Sequence, residues 1–198
     1  MHGNMLWHWT LYRLGLQSAR TQTSAAEREV LRGLATGRRR VVEIGVFEGV
    51  CSRLLREAMS REGHLWGIDP FPPGRLGIAY GYDIARREAG RLLNGELHFL
   101  RQFSYEAVRE WREPIDFLFI DADHTYEAVR QDWEQWSPFV VAGGVIALHD
   151  SLYVPGRNRP DMGPIRLADE IARERNGFEK IAMVDSLTAF QKRTTGAR

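Results

Sequence analysis

Hydrophobic residues along this chain fall into two alternating patterns. Short, nearly continuous apolar runs occur at Val41-Val42 with Ile44, at Leu65 to Ile68, at Leu97 to Leu100, at Ile115 to Ile120 and at Val145 to Leu148. Runs of this length, rich in Val, Ile, Leu and Phe, predict fully buried strands. Between them, apolar residues recur at helical spacing: Val30, Leu31 and Leu34; Leu54, Leu55, Ala58 and Met59; Tyr82 to Leu93; Val108 and Trp111; Tyr126, Val129, Trp133 and Trp136; Ile165, Ala168, Ile171 and Ala172. Strand and helix in alternation predict a parallel sheet with helices on both faces. The chain closes with two more strands, Phe178 to Val184 and Leu187 to Gln191, joined as a hairpin by Asp185-Ser186.

Polar and glycine positions punctuate this pattern. Ser24 followed by Glu27 has capping-box spacing, and Gly37 stops the helix it opens. Asn94-Gly95 marks a turn, Gly143-Gly144 opens the fifth strand, Pro164 starts the last long helix and Gly177 ends it. Ser104, and Asp123 ahead of Thr125, suit helix caps. Arg38-Arg39-Arg40 reads as a solvated loop. Pro70 to Gly81 and Tyr153 to Gly163 read as surface loops. Residues 1–23 are aromatic-rich, with Leu6, Trp9, Arg13 and Leu16 at helix-like spacing. We expect a helical arm docked on its own domain, offering a second surface to a homodimer, and a domain over residues 24–198.

The segment Val41 to Val50 organises the rest. Its strand ends in Gly45, Gly49 follows, and a helix begins there. Glycines allow a sharp turn and close approach of a ligand, and the helix presents free N–H groups to it. Glu43 is a carboxylate in an apolar strand, a placement that requires a polar partner. Asp69, Ser104, Asp121, Asp123, His124, His149 and Asp150 lie at or near the carboxyl ends of the other strands, where open parallel sheets bind ligands.

Composition narrows the partners. The 198 residues carry a formal net charge of +1, which gives no bulk electrostatic case for nucleic acid or membrane. One cysteine allows no internal disulfide framework and fits a reducing compartment. No apolar run nears the roughly 20 residues that span a bilayer, and the first residues lack a signal-peptide pattern, so a cytoplasmic protein is expected.

The four segments VVEIGVFEG, GIDP, FIDADHTYEAV and GGVIALHD, in this order and spacing, resemble the class I S-adenosylmethionine-dependent methyltransferases. The likeness is to the small O-methyltransferases of the catechol and caffeoyl-CoA type and their bacterial natural-product and sugar-methylating relatives. The resemblance implies a Rossmann-like, doubly wound seven-stranded α/β sheet of order 3-2-1-4-5-7-6 with strand 7 antiparallel. It implies that Gly45, Phe47 and Gly49 cradle the methionine part of S-adenosylmethionine, with Glu43 and Asp121 close to it. It also implies that Asp69 holds the ribose hydroxyls and that Ser104 contacts the adenine. In the catechol-type enzymes a magnesium ion is held after strands 4 and 5; the matching residues here are Asp121, His149 and Asp150, although the family has Asp-Asn where this chain has His149-Asp150. Two carboxylates suit magnesium or manganese, and His149 shifts the set towards softer ions.

His124 lies where those enzymes carry a catalytic lysine, and an imidazole removes protons near neutral pH. The expected activity is therefore O-methylation of a small hydroxylated molecule (phenolic, sugar or natural product), assisted by a divalent cation, with Asp121 and His124 catalytic. A metal-independent N- or O-methyltransferase with His124 as base is the alternative. A nicotinamide oxidoreductase is a third reading, weakened because EIGVFEG lacks G-x-G-x-x-G spacing. A non-catalytic cofactor-binding protein is a fourth, and clustered ionisable residues at strand ends argue against it. Trp7, Trp9, Phe71, Tyr80 and Tyr153 suit a ring or sugar face, and Arg157 and Arg159 suit an anionic group. Trp133 and Trp136 read as core.

Overall fold

Side chains alternate between the two faces of the central strands, broken on β4 between Ile115 and Phe117, and the two faces build two separate cores. Val42, Ile44, Leu118, Ile120, Ile146 and Leu148 join one; Val41, Phe117, Phe119, Val145 and Ala147 join the other. This is the period-2 pleat of strands buried on both sides. The computed structural model describes residues 5–74, 77–91, 94–174 and 177–194.

The elements run α1 (Met5–Arg13), α2 (Ala25–Ala35), β1 (Arg40–Ile44), α3 (Val50–Ala58), β2 (His64–Ile68), α4 (Tyr80–Gly90), β3 (Glu96–Leu100), α5 (Ser104–Glu110), β4 (Ile115–Ile120), α6 (Tyr126–Trp136), β5 (Val140–Leu148), α7 (Gly163–Arg173), β6 (Phe178–Val184) and β7 (Leu187–Lys192). The sheet has seven strands in the order β3-β2-β1-β4-β5-β7-β6. β1 to β5 pair in parallel, and β7 runs antiparallel to both β5 and β6. The predicted fold, order and orientation are thus all present. One core receives Leu31 of α2 and Leu54 and Leu55 of α3. The opposite core receives Ala107 of α5, Val129, Trp133 and Trp136 of α6, and Leu167 and Ile171 of α7. The tryptophans of α6 are therefore core, as their spacing predicted.

Local details differ from the sequence pattern where tertiary contacts override it. β5 begins at Val140, ahead of the glycine pair. Gly143, at φ +77°, sits inside the strand, and the register with β4 shifts between Ile115 and Phe117. A glycine there permits an irregularity rather than a strand start. Helix α1 stops at Arg13, so Leu16 lies outside it and is exposed. Its buried residues are His8 and Tyr12, one turn apart, because buried carboxylates await them. Tyr12 donates to Glu88 of α4 at 2.7 Å, His8 Nε2 meets fully buried Glu48 at 3.0 Å, and Trp9 donates to Asp83 at 2.8 Å. Trp9 also packs on Tyr80, with ring centroids 5.4 Å apart, so both rings join the arm to α4.

Candidate active site

Each strand-end residue is held by one more rung of the parallel ladder. The N–H of Gly45 bonds the carbonyl of Ile68, that of Asp69 the carbonyl of Leu100, that of Asp121 the carbonyl of Ile44, and that of His149 the carbonyl of Ile120. The polar ends of β1, β2, β4 and β5 are thereby locked side by side at one rim.

The glycine turn is shaped by close backbone approach. Gly45 has φ +85°, and a Cβ on it would stand 2.0 Å from the carbonyl oxygen of Asp121. Gly49 has φ +77°, and its Cβ would stand 2.6 Å from Cα of Ala85 on α4. Gly49 therefore serves helix packing, whereas Gly45 and exposed Phe47, itself at φ 56°, line the cavity. Asp69 grips the turn: one oxygen accepts from the N–H of Val46 (3.0 Å) and Phe47 (3.2 Å), the other from Phe71 (2.7 Å). Four lone-pair positions on a carboxylate leave it room for a further donor. Glu43 lies behind the turn and on neither cavity wall. It is fully buried, accepts from Ser52 Oγ, and leaves Oε1 without a partner. Burial, with Asp121 and Asp69 adding repulsion, pushes its pKa up to about 8.

A cavity of about 440 Å³ opens at this rim, lined by Gly45, Phe47, Asp69, Ser104, Asp121 and Asp132 among others. A smaller one of about 140 Å³ shares Gly45, Phe47, Asp121 and Ala122 with it, and adds Arg20 to Gln22 and His124. Ser104 is not the cap of α5, a role taken by Phe103. Instead Ser104 Oγ donates to Asp132 at 2.5 Å, and burial raises the Asp132 pKa to about 6. Asp123 accepts from the N–H of Thr125, and Thr125 caps α6.

Asp121, His124, His149 and Asp150 converge. His149 Nδ1 lies 2.9 Å from Asp121 Oδ1 and 3.5 Å from Asp150 Oδ2; His124 Nε2 lies 3.0 Å from Asp150 Oδ2 and 3.9 Å from Asp121 Oδ1. Yet His149 Nδ1 and His124 Nε2 are both buried and make no hydrogen bond of acceptable geometry. Donor atoms about 3 Å apart whose lone pairs do not address each other suit a shared cation: ligands roughly 2.1 Å from an octahedral ion are spaced this way. The residues present therefore fit a divalent metal. Burial opposes charge on His149, but the neighbouring carboxylates of Asp121 and Glu27 outweigh it and raise the pKa to about 10. The carboxylate of Asp150 beside it raises that of His124. Asp150, at φ 49°, is held at about 2: burial opposes its charge, and His124, His149 and Asn158 overcome that.

The support behind His149 was not visible as chemistry in the sequence. Glu27, fully buried, accepts from the N–H and Oγ of Ser186, from Ser24 and from Arg157 at 2.5 Å, and sits 3.4 Å from His149 Nε2. Its capping-box spacing revealed the helix start; nothing in the sequence revealed the histidine it orients. Arg157 is engaged by Glu27, and Arg159 is exposed beside Asp161, which argues against the anion-binding role expected of them. Asn158 donates to Asp150 at 3.1 Å.

Known proteins share this fold. The chain is similar to the O-methyltransferase TomG of Streptomyces achromogenes, solved with SAM (TM-score 0.65, 20% identity, covering 98% of this chain and 92% of that one). It is also similar to an O-methyltransferase of Bacillus cereus solved with SAH (TM-score 0.67, 20% identity, 97% and 92%). At that identity the likeness speaks for the fold. Among curated proteins, the uncharacterized protein R132 of Acanthamoeba polyphaga mimivirus is 31% identical over 116 residues, 55% of this chain; the chain spans about half the length of that relative. A family model described as a methyltransferase domain matches residues 42–151. That match runs from the glycine turn through both acidic strand ends and covers more than half the sequence, so the chain belongs to the methyltransferase-domain family rather than to the nicotinamide oxidoreductases.

Proposed function

We propose that this protein transfers the methyl group of S-adenosylmethionine to an oxygen of a small hydroxylated molecule, with a divalent cation held by Asp121, His149 and Asp150. The observation that carries this reading is His149 Nδ1, buried and without a hydrogen bond between the carboxylates of Asp121 and Asp150, with Asp121 itself on the wall of both cavities. The nucleoside would occupy the larger cavity, with Asp69 on the ribose and Ser104 towards the adenine. The amino-acid part would reach past Gly45 and Phe47 to the first turn of α3, whose free N–H groups suit a carboxylate. Residues 1–23 form an arm on a catalytic domain of residues 24–198.

The sulfonium methyl is already electrophilic, so the residues must align the acceptor and remove its proton. A bound cation would lower the acceptor hydroxyl's pKa and stabilise the oxyanion. His124, 34% exposed and facing the smaller cavity, takes the proton, and Asp150 stabilises the imidazolium that results. Glu27 and Asn158 hold His149 and Asp150 in place from behind.

Calorimetry with S-adenosylmethionine, followed by turnover with and without chelator, tests this. Binding of the donor, and activity lost in chelator and restored by magnesium or manganese, are expected. His124→Gln should lower kcat by about 10²–10⁴-fold and abolish the rise in rate with pH that follows loss of the histidine proton. Unchanged turnover in chelator would favour the metal-free alternative with His124 alone.

A further inference from the structure

We propose that His64, Glu96 and His98 form a second metal site, selective for zinc or a similar borderline transition ion, on the outer edge of the sheet. β2 and β3 pair in parallel with His64 opposite Glu96 and Trp66 opposite His98. Residues two apart on a strand share a face, so both histidines and the carboxylate stand on one side of this pair. His64 Nδ1 lies 3.3 Å from His98 Nε2, and Glu96 Oε2 lies 3.5 Å and 3.6 Å from those two nitrogens.

That nearly equilateral triangle has the size of one face of a zinc tetrahedron. Nitrogen and oxygen ligands roughly 2.0–2.2 Å from zinc stand about 3.3–3.6 Å apart. The spacing is also more even than that among Asp121, His149, His124 and Asp150, where the contacts run from 2.9 to 3.9 Å. Ligand chemistry points the same way, since two imidazoles and one carboxylate favour zinc over magnesium. The Trp66 ring stacks on both imidazoles, with centroids 5.4 Å away and planes within 22° and 21°, which restricts the rings to this arrangement. The side chains are 39%, 68% and 38% exposed for His64, Glu96 and His98, so an ion reaches them without unfolding. Three protein ligands leave a fourth position open.

The location gives the ion a task distinct from methyl transfer. His64 and Glu96 open their strands, whereas the methyl-transfer residues close theirs. β3 is an edge strand, so an ion bridging it to β2 would pin that edge.

The experiment uses the full chain with zinc chloride in calorimetry and cobalt(II) as a spectroscopic probe. An Asp121→Asn/Asp150→Asn variant removes the first site, and a His64→Ala/His98→Ala variant removes the second. The first variant should still take one zinc and give the intense visible bands of four-coordinate cobalt. The second should lose that equivalent while keeping methyl-transfer activity. His98→Gln, a gentler change, should weaken zinc binding at this site by at least about tenfold. Equal zinc uptake by wild type and the His64→Ala/His98→Ala variant would overturn the proposal, as would only weak six-coordinate cobalt bands in the Asp121→Asn/Asp150→Asn variant. Either result would leave a cluster held by hydrogen bonds alone.

Discussion

Glu43 is an ionisable group whose fully buried position makes stability depend on pH. Its carboxyl is held near 8 by burial against an ordinary value of 4.5. In that interval the folded chain keeps a proton that the unfolded chain releases, so stability falls as pH rises through it. Each unit costs up to about 1.4 kcal/mol, and the loss is complete above about pH 8. Glu43→Gln retains an acceptor for Ser52 and removes the titration. Urea unfolding in chelator at pH 5.5 and 8.5 should show the variant's gain in folded-to-unfolded ratio over wild type larger at the higher pH by about 10²-fold. An equal gain at both values would show that the carboxyl is already ionised or already neutral throughout. At His149 and Asp150 the charged forms are favoured instead, because carboxylate and imidazole meet there and each stabilises the other's charge; the His149 contribution is likewise lost as pH rises, and the Asp150 contribution is lost as pH falls.

At the level of elements, the two glycines of the β1–α3 turn have separate jobs. A methyl on Gly45 meets the backbone of Asp121 and Ala122, which cannot move without dislocating the end of β4. A methyl on Gly49 meets α4 at Ala85, so it pushes two helices apart. Both alanines also adopt a left-handed backbone at about 1–2 kcal/mol. Gly45→Ala should therefore abolish donor binding as well as lower stability, whereas Gly49→Ala should lower stability with a smaller loss of binding. Thermal unfolding paired with calorimetry on each variant separates the two, and equal loss of binding would remove the distinction. The sequence pattern shows the glycine turn, all seven strands and the strand-end positions of Asp69, Asp121, His149 and Asp150, because buried parallel strands leave continuous apolar runs and their ends must be polar. The contacts behind them were not legible. Glu27 reaches His149 from 122 positions away, Ser104 turns to Asp132, and the glycine pair of β5 marks an irregularity, since each depends on which helix covers which strand.

For the whole molecule, the arm of residues 1–23 is bound to both stability and the site. Its described part supplies His8 and the N–H of Arg20 to the buried carboxylate of Glu48, and Tyr12 to Glu88. Its last turn, Arg20 to Gln22, walls the smaller cavity next to Gly45 and His124. Removing it before Ser24 leaves Glu48 without these donors and strips one wall from the cavity. Hydrogen bonds to a charged group contribute about 1.5–3 kcal/mol each, so their loss takes a large share of a typical domain's stability. Truncation should lower the unfolding midpoint markedly and weaken donor binding together. His8→Gln, which keeps a donor towards Glu48 and leaves the cavity wall in place, should lower stability by about 1 kcal/mol with donor binding intact. The His8 and Tyr12 face is occupied by Glu48 of the glycine turn and Glu88 of α4, so a homodimer through this arm must use its exposed side, where Trp7 and Leu14 are 63% and 67% exposed. Gel filtration of wild type against Trp7→Ser/Leu14→Ser reads that directly: a shift to smaller size with unchanged donor binding places the subunit contact on the arm, and an unchanged elution volume removes it from there.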